Sequence, residues 1–423
     1  MKNKIQGTYL FFLLFWMLVS FLPFKANAKI YIDINSPYIQ QIPIGLDLPS
    51  LSVNTYENRV ASNKLIKCLA SDLSFQGFFS VFNLSENTGE EKLDYIVKTE
   101  FQRVGANVTI ILKLYDLADN SMLVGRRYIG TLKDIRRIAH RFSNEIVLAI
   151  TGQEGVTLSR IVFISETPNK EIFSADFDGQ NIRQETRLKT IVMSPRYSPD
   201  GRYIAFTSFR SGRPCLYLKD TSSETIRKLA CFKGVNMSPA WHPSGKKLAV
   251  TLSKSGSPDL YLIDIKGNLL KRLTYGPGIN CSPSFSPDGN KLVFVSDRSG
   301  TPQLFILDLL TERINRLTYT GNYNTDPQWS PSGDKIVYVS RINGQFQIFT
   351  ISPEGGDPIQ LTYEGSNENP SWSPDGRQIV FSSTRLKGAK HLFVMLANGQ
   401  NQRLLLSYGR KDYFPFWGPN NFK

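Results

Sequence analysis

Beyond about residue 156 the apolar residues of this chain fall into short β-branched and aromatic runs separated by polar turns. Runs such as Ile204-Ala-Phe206, Leu292-Val-Phe294 and Ile336-Val-Tyr338 are followed, after a polar loop, by Leu216-Tyr-Leu218, Leu260-Tyr-Leu262 and Leu304-Phe-Ile306. A shorter run then ends in Leu273-Thr274, Leu317-Thr318 or Leu361-Thr362. Runs of this length and composition, bounded by turn residues, predict strands. Each unit opens on Pro-x-aromatic-x-Pro, at Pro195–Pro199, Pro239–Pro243, Pro283–Pro287, Pro327–Pro331, Pro370–Pro374 and Pro415–Pro419, with first prolines 44, 44, 44, 43 and 45 residues apart. Asp-Gly or Ser-Gly follows in five copies, as at Asp200-Gly201 and Asp288-Gly289, where Pro sets a negative φ and Gly tolerates a positive one, so a hairpin forms. Four strands per unit suit one propeller blade, and six units predict six blades, with the motif's aromatic packed between neighbours.

The last motif has no hairpin partner after it, while Ile161-Val-Phe163 has no motif before it. Residues 414–417 are therefore expected as the inner strand of the blade that begins near Ile161, which closes the ring and removes two open edges. Upstream the pattern changes. A helix is predicted from about Tyr56 to Leu73, strands over Tyr95–Val104, Val108–Tyr115 and Met122–Ile129, and a short strand over Ile30–Ile34. Between Asp134 and Ile150, Ile135, Ile138, Ala139, Phe142, Ile146 and Ala149 share one helical face, with Asp134 as cap and Gly152 as stop. The reading is a two-domain chain: residues 29–155 form a small N-terminal α/β domain and residues 156–423 an all-β six-bladed propeller. Residues 1–28 read as a cleavable signal peptide, with Lys2 and Lys4 before the apolar run Tyr9–Leu22 and cleavage after Ala28.

Removing Lys2, Lys4 and Lys25 takes the formal charge from +14 to +11. That balance suits an acidic partner or surface, and export argues against nucleic acid. Cys68, Cys215, Cys231 and Cys281 show no metal-ligand spacing; Cys215 and Cys231 flank a predicted hairpin and are placed across from one another. His140, His242 and His391 read as surface or packing residues, and Asp176-Phe-Asp178-Gly179 as a turn rather than a calcium loop. Nucleophile-elbow, HExxH and phosphate-loop motifs are absent from the sequence, so neither catalysis nor a cofactor is expected. A secreted hydrolase or lyase acting on peptide or glycan stays open as the alternative. Three residues before the motif stand Asn236, Asn280, Asn324 and Asn367, with Asp412 in the sixth copy and Val192 in the first, while Arg210, Lys254, Arg298, Arg341 and Arg385 recur between second and third strands. Strand parity puts both sets on one face, opposite the proline turns, and predicts an inner ring of amides inside a ring of positive charge.

The repeats Ser282-Pro-Ser-Phe-Ser-Pro-Asp-Gly289 and Asn369-Pro-Ser-Trp-Ser-Pro-Asp-Gly376, the ending Phe414–Trp417, Pro43-Ile-Gly45 and the domain order resemble the TolB family, periplasmic propellers of the Tol-Pal system. The resemblance implies a non-enzymatic, monomeric periplasmic adaptor for outer-membrane integrity and constriction at division. It implies a Pal-like peptidoglycan-associated lipoprotein bound through one propeller face, a TolA-like inner-membrane protein bound through the segment after the signal, and other outer-membrane proteins as further partners. Carried over, the Pal face includes Asn236, Met237, Ser238, Asn280, Cys281 and Ser282, joined by Asn324, Asn367, Asp412, Arg298 and Arg341, and the TolA arm includes Lys29, Ile30, Tyr31, Ile32, Asp33 and Ile34. The chain departs from the family pattern at Val235 and Cys281, where members can carry His and Thr.

Overall fold

The structure, a computed structural model, describes residues 41–84, 92–276, 278–386 and 389–421. The expected signal peptide, the strand expected over Ile30–Ile34 and the expected arm from Lys29 to Ile34 lie outside the described residues.

The N-terminal domain is a sheet of β1 (Ile42–Leu46), β2 (Ser50–Leu51), β3 (Phe79–Asn83), β4 (Tyr95–Val104), β5 (Asn107–Asp116) and β6 (Met122–Thr131), in the order β3-β1-β4-β5-β6 with β2 beside β4. Along β5 the side chains alternate, so that Val108, Ile110, Leu112 and Leu114 point inward. They meet two helices, α1 (Tyr56–Gln76) and α2 (Ile135–Thr151), which present Leu65 and Leu69, and Ile138, Phe142 and Ile146, to the same core. Thr55 caps α1 and Gly77, at φ 83°, ends it. Asp134 does not cap α2 in the expected way: its carboxylate accepts from Thr131 N and Oγ1 at 2.8 and 2.9 Å, in a capping box whose cap is Thr131.

Six four-stranded antiparallel sheets follow. The first blade is closed by the strand Asp412–Trp417, which pairs with Arg160–Glu166 in a register running from Asp412 opposite Ser165 to Trp417 opposite Ile161. Blades two to six occupy residues 192–230, 236–272, 280–316, 324–360 and 367–406. Every inner strand bulges just before its motif proline, and the residue there, Ser194, Ser238, Ser282, Asp326, Asn369 or Phe414, sits at φ 49° to 53°. The motif aromatics bridge blades, as when Trp241 Nε1 donates to Arg196 O at 3.1 Å and Trp372 Nε1 to Gln328 O at 3.2 Å.

The N-terminal domain docks on the proline-turn side of the first and sixth blades. Phe75, at the end of α1, meets Phe177 edge-on at 4.9 Å and Trp417 at 6.3 Å, while its carbonyl accepts from Gln378 Nε2 at 3.0 Å. Arg136 of α2 reaches Asp178 at 2.7 Å, and Arg377 donates to Gln153 Oε1 at 2.9 Å. The faintly calcium-like Asp176 and Asp178 are thus held by Arg136 and Arg160, as a turn.

A distal propeller face as the candidate functional site

The loops leading into each inner strand, and those between second and third strands, emerge on the face away from the N-terminal domain. Asn236 lies opposite Leu252 and Asn280 opposite Ser296, beside the loops of Lys254 and Arg298. Strand parity is therefore as expected, but the amide side chains are buried rather than presented on the face. Asn236, Asn280, Asn324, Asn367 and Asp412 are all fully buried, and, Asn324 Oδ1 apart, their hydrogen-bonding groups are taken up within the propeller.

The reason is a latch repeated from blade to blade. In the third blade Asp259 Oδ1 accepts from Thr274 Oγ1 and from Asn280 Nδ2 of the next blade, both at 2.9 Å. Gln303 does the same for Thr318 and Asn324 at 2.7 and 2.8 Å, and Gln347 for Thr362 and Asn367 at 2.7 and 2.9 Å. The threonine oxygen in turn accepts the backbone N–H of Leu260, Leu304 or Ile348 at 2.9 Å. Buried polar groups need such partners, so the asparagines here join one blade to the next. The second blade lacks the pair: Cys215 stands where the acceptor would, and it is joined to Cys231 in a disulfide across 16 residues. Asn236 there bonds Phe232 N and O, both at 2.8 Å. In the sixth blade His391 Nδ1 faces Asp412 Oδ2 at 3.2 Å. The latch was legible as spacing, since acceptor and threonine lie 15 residues apart and acceptor and asparagine 20 or 21.

The cations divide in two. Arg298 and Arg385 are half-buried and donate to Asn280 Oδ1 at 2.7 Å and Asn367 Oδ1 at 3.1 Å, each lying over two phenylalanine rings. Arg210, Lys254 and Arg341 are exposed. Met237 and Cys281 are half-buried beside the asparagines, and burial pushes the Cys281 thiol up to about 11. Ser238 and Ser282 line the central channel, a cavity of about 410 Å³.

The sequence reading missed a set of aromatics. The residue after each Leu-Thr pair is a tyrosine, and Tyr275, Tyr319 and Tyr363 are 61%, 74% and 71% exposed on this same face, with Tyr408 at 48%. Arg272 lies 4.7 Å from the Tyr275 ring centre and Arg316 4.9 Å from that of Tyr319. Ile279, Tyr323 and Leu386 add exposed apolar surface nearby. Tyrosine and arginine on a rigid frame, with cations around them, are what protein-docking surfaces are enriched in. His242, by contrast, packs edge-on to Phe285 at 5.0 Å on the other face.

Comparison with known proteins agrees with this architecture. The TolB β-propeller domain family matches residues 147–421. The Tol-Pal system protein TolB of Desulfotalea psychrophila is 36% identical over 236 residues, covering 52% of this chain and 53% of the relative. The protein TolB homolog of Chlorobium chlorochromatii is 42% identical over 176 residues, covering 41% and 36%. The chain spans about half the length of the curated relatives it matches. Among solved structures, TolB from Acinetobacter baumannii superposes with a TM-score of 0.78 at 27% identity, over 93% of this chain and 98% of that one. These relatives carry the names of a system component rather than of an enzyme.

Proposed function

This chain belongs to the TolB β-propeller family, and from that premise we infer that it works as a periplasmic adaptor of the Tol-Pal system, holding a Pal-like lipoprotein on its distal propeller face. The observation that carries the reading is the coincidence, on the face left free by the N-terminal domain, of exposed Tyr275, Tyr319 and Tyr363 with Arg210, Lys254 and Arg341. Rigid aromatics supply contact area at low entropic cost, and the surrounding cations steer an acidic partner. The buried amides keep the loops in place rather than touching the partner. A TolA-like protein is assigned to residues 29–34, and support of outer-membrane integrity and constriction at division follows from joining the two.

The test is surface plasmon resonance against a purified Pal-like domain at two salt concentrations. Tyr319→Ala should chiefly raise the dissociation rate, by about 10-fold or more if it is a hot spot. Arg341→Glu should slow association and flatten its salt dependence. Wild-type kinetics in both, together with loss of binding on changing Asp288 or Asn290 at a proline turn, would place the partner on the opposite face. Deleting residues 29–40 should remove TolA binding and leave Pal binding intact; retained TolA binding refutes the arm.

A further inference from the structure

Behind the interdomain seam, away from the docking face, lies a cluster of three different donor types. Cys68 and Asp72 are one helical turn apart on α1, and His140 faces them from α2. His140 Nδ1 is 2.7 Å from Asp72 Oδ2 and 4.0 Å from Cys68 Sγ, and one ligand atom from each residue falls within 4.8 Å of the others. Asp72 is 1% and His140 6% exposed. Within this buried site Asp72 Oδ1 and His140 Nε2 have no hydrogen-bond partner from the protein, a costly state for polar atoms.

We propose that Cys68, Asp72 and His140 form a binding site for a thiophilic divalent cation of the zinc(II) class, clamping α1 to α2 beneath the propeller. A thiolate, an imidazole and a carboxylate are the mixture such an ion takes, whereas calcium and magnesium take oxygen. Ligand atoms at about 2.0–2.3 Å from a shared zinc stand roughly 3.3–3.7 Å apart. The 4.0 Å separation of Sγ and Nδ1 therefore needs to close only slightly, and the 2.7 Å separation of Nδ1 and Oδ2 to open by less than the length of a bond. On coordination the Cys68 thiol proton passes to solvent, the proton shared between His140 Nδ1 and Asp72 Oδ2 moves to Nε2 or to solvent, and water completes the shell; nothing is oxidised or reduced. The nearest guanidinium, Arg136, is already paired with Asp178 and Asp176, at 2.7 and 3.4 Å. A hydrolytic triad is a poorer reading of the same three residues, because Asp72 and His140 are buried against the propeller, out of reach of a substrate. The site adjoins the propeller directly: the His140 ring meets Phe177 edge-on at 5.3 Å. A bound ion would thus stiffen the seat on which the two domains meet.

The experiment uses the full, metal-free chain with its Cys215–Cys231 bridge intact and titrates it with cobalt(II), then displaces the cobalt with zinc(II). One equivalent should bind with thiolate-to-cobalt charge-transfer absorption, and zinc should raise the melting temperature. Cys68→Ser should abolish the charge-transfer band and weaken zinc binding at least about tenfold, since even outer-shell changes cost 10–100-fold. Cys281→Ser, which alters the other free thiol, should leave both intact. Absence of stoichiometric cobalt binding to the wild type, or a band that survives Cys68→Ser, overturns the site without relying on any variant of Asp72 or His140.

Discussion

Asp326 carries two strains in one residue. Its backbone is at φ 49°, a left-handed conformation that Asn tolerates better than most residues with a Cβ. Burial on the channel wall also raises its carboxyl pKa, although Arg196 and a hydrogen bond from Asn369 pull it down. With the folded value above the unfolded one, the native state holds more protons between the two, so stability is lost as pH rises through that window. Asp326→Asn should therefore gain stability relative to the wild type as pH rises through that window, on top of a fixed cost from leaving the buried Arg196 without its carboxylate; thermal melts across the range would show it, and a difference independent of pH would discard the electrostatic half of the argument. Asn280→Ala tests the latch. It removes the bonds to Asp259 and Arg298 and should cost about 1–3 kcal/mol in urea denaturation before any partner is added.

Among the elements, the blades were legible because strand length, turn residues and the proline motif all repeat, so each unit supported the reading of the next. The second helix was legible from the 3.6-residue spacing of Ile135, Ile138, Phe142 and Ile146. What the asparagines do was not read from the loops alone. An amide before a strand looks the same whether it faces solvent or a buried carboxamide, and only the partners Gln303 and Gln347, contributed by the third strand of the preceding blade, decide the matter. Cys68, Asp72 and His140 were equally hidden, since 68 residues of chain separate Asp72 from His140. In the second blade Cys215 and Cys231, which the sequence placed across from one another without deciding whether they pair, form a disulfide, and it stands where the neighbouring blades use hydrogen bonds. Replacing both cysteines by serine should lower stability by about 3 kcal/mol on loop-closure grounds, and adding reductant to the wild type should lower its melting temperature in the same sense.

For the whole molecule, the seat between the domains rests on one side chain more than any other. Phe75 is buried against Phe177, Trp417 and the guanidinium of Arg403, which lies 4.4 Å over its ring. Phe75→Ala should cost about 3–5 kcal/mol and speed proteolytic cleavage over residues 152–159 while the blades stay intact; unchanged cleavage would mean that the polar contacts alone hold the seat. The joining of residues 160–184 to Asp412–Trp417 in one sheet also sets a timetable. A chain made from its N-terminus produces three strands of the first blade early and their fourth only after five other blades have been synthesised, so the earliest part of the ring must wait, edge open, for the latest. Any interruption in between yields a broken ring rather than a smaller one, with a bare strand edge that proteases and chaperones can recognise. The ring thereby reports its own completion.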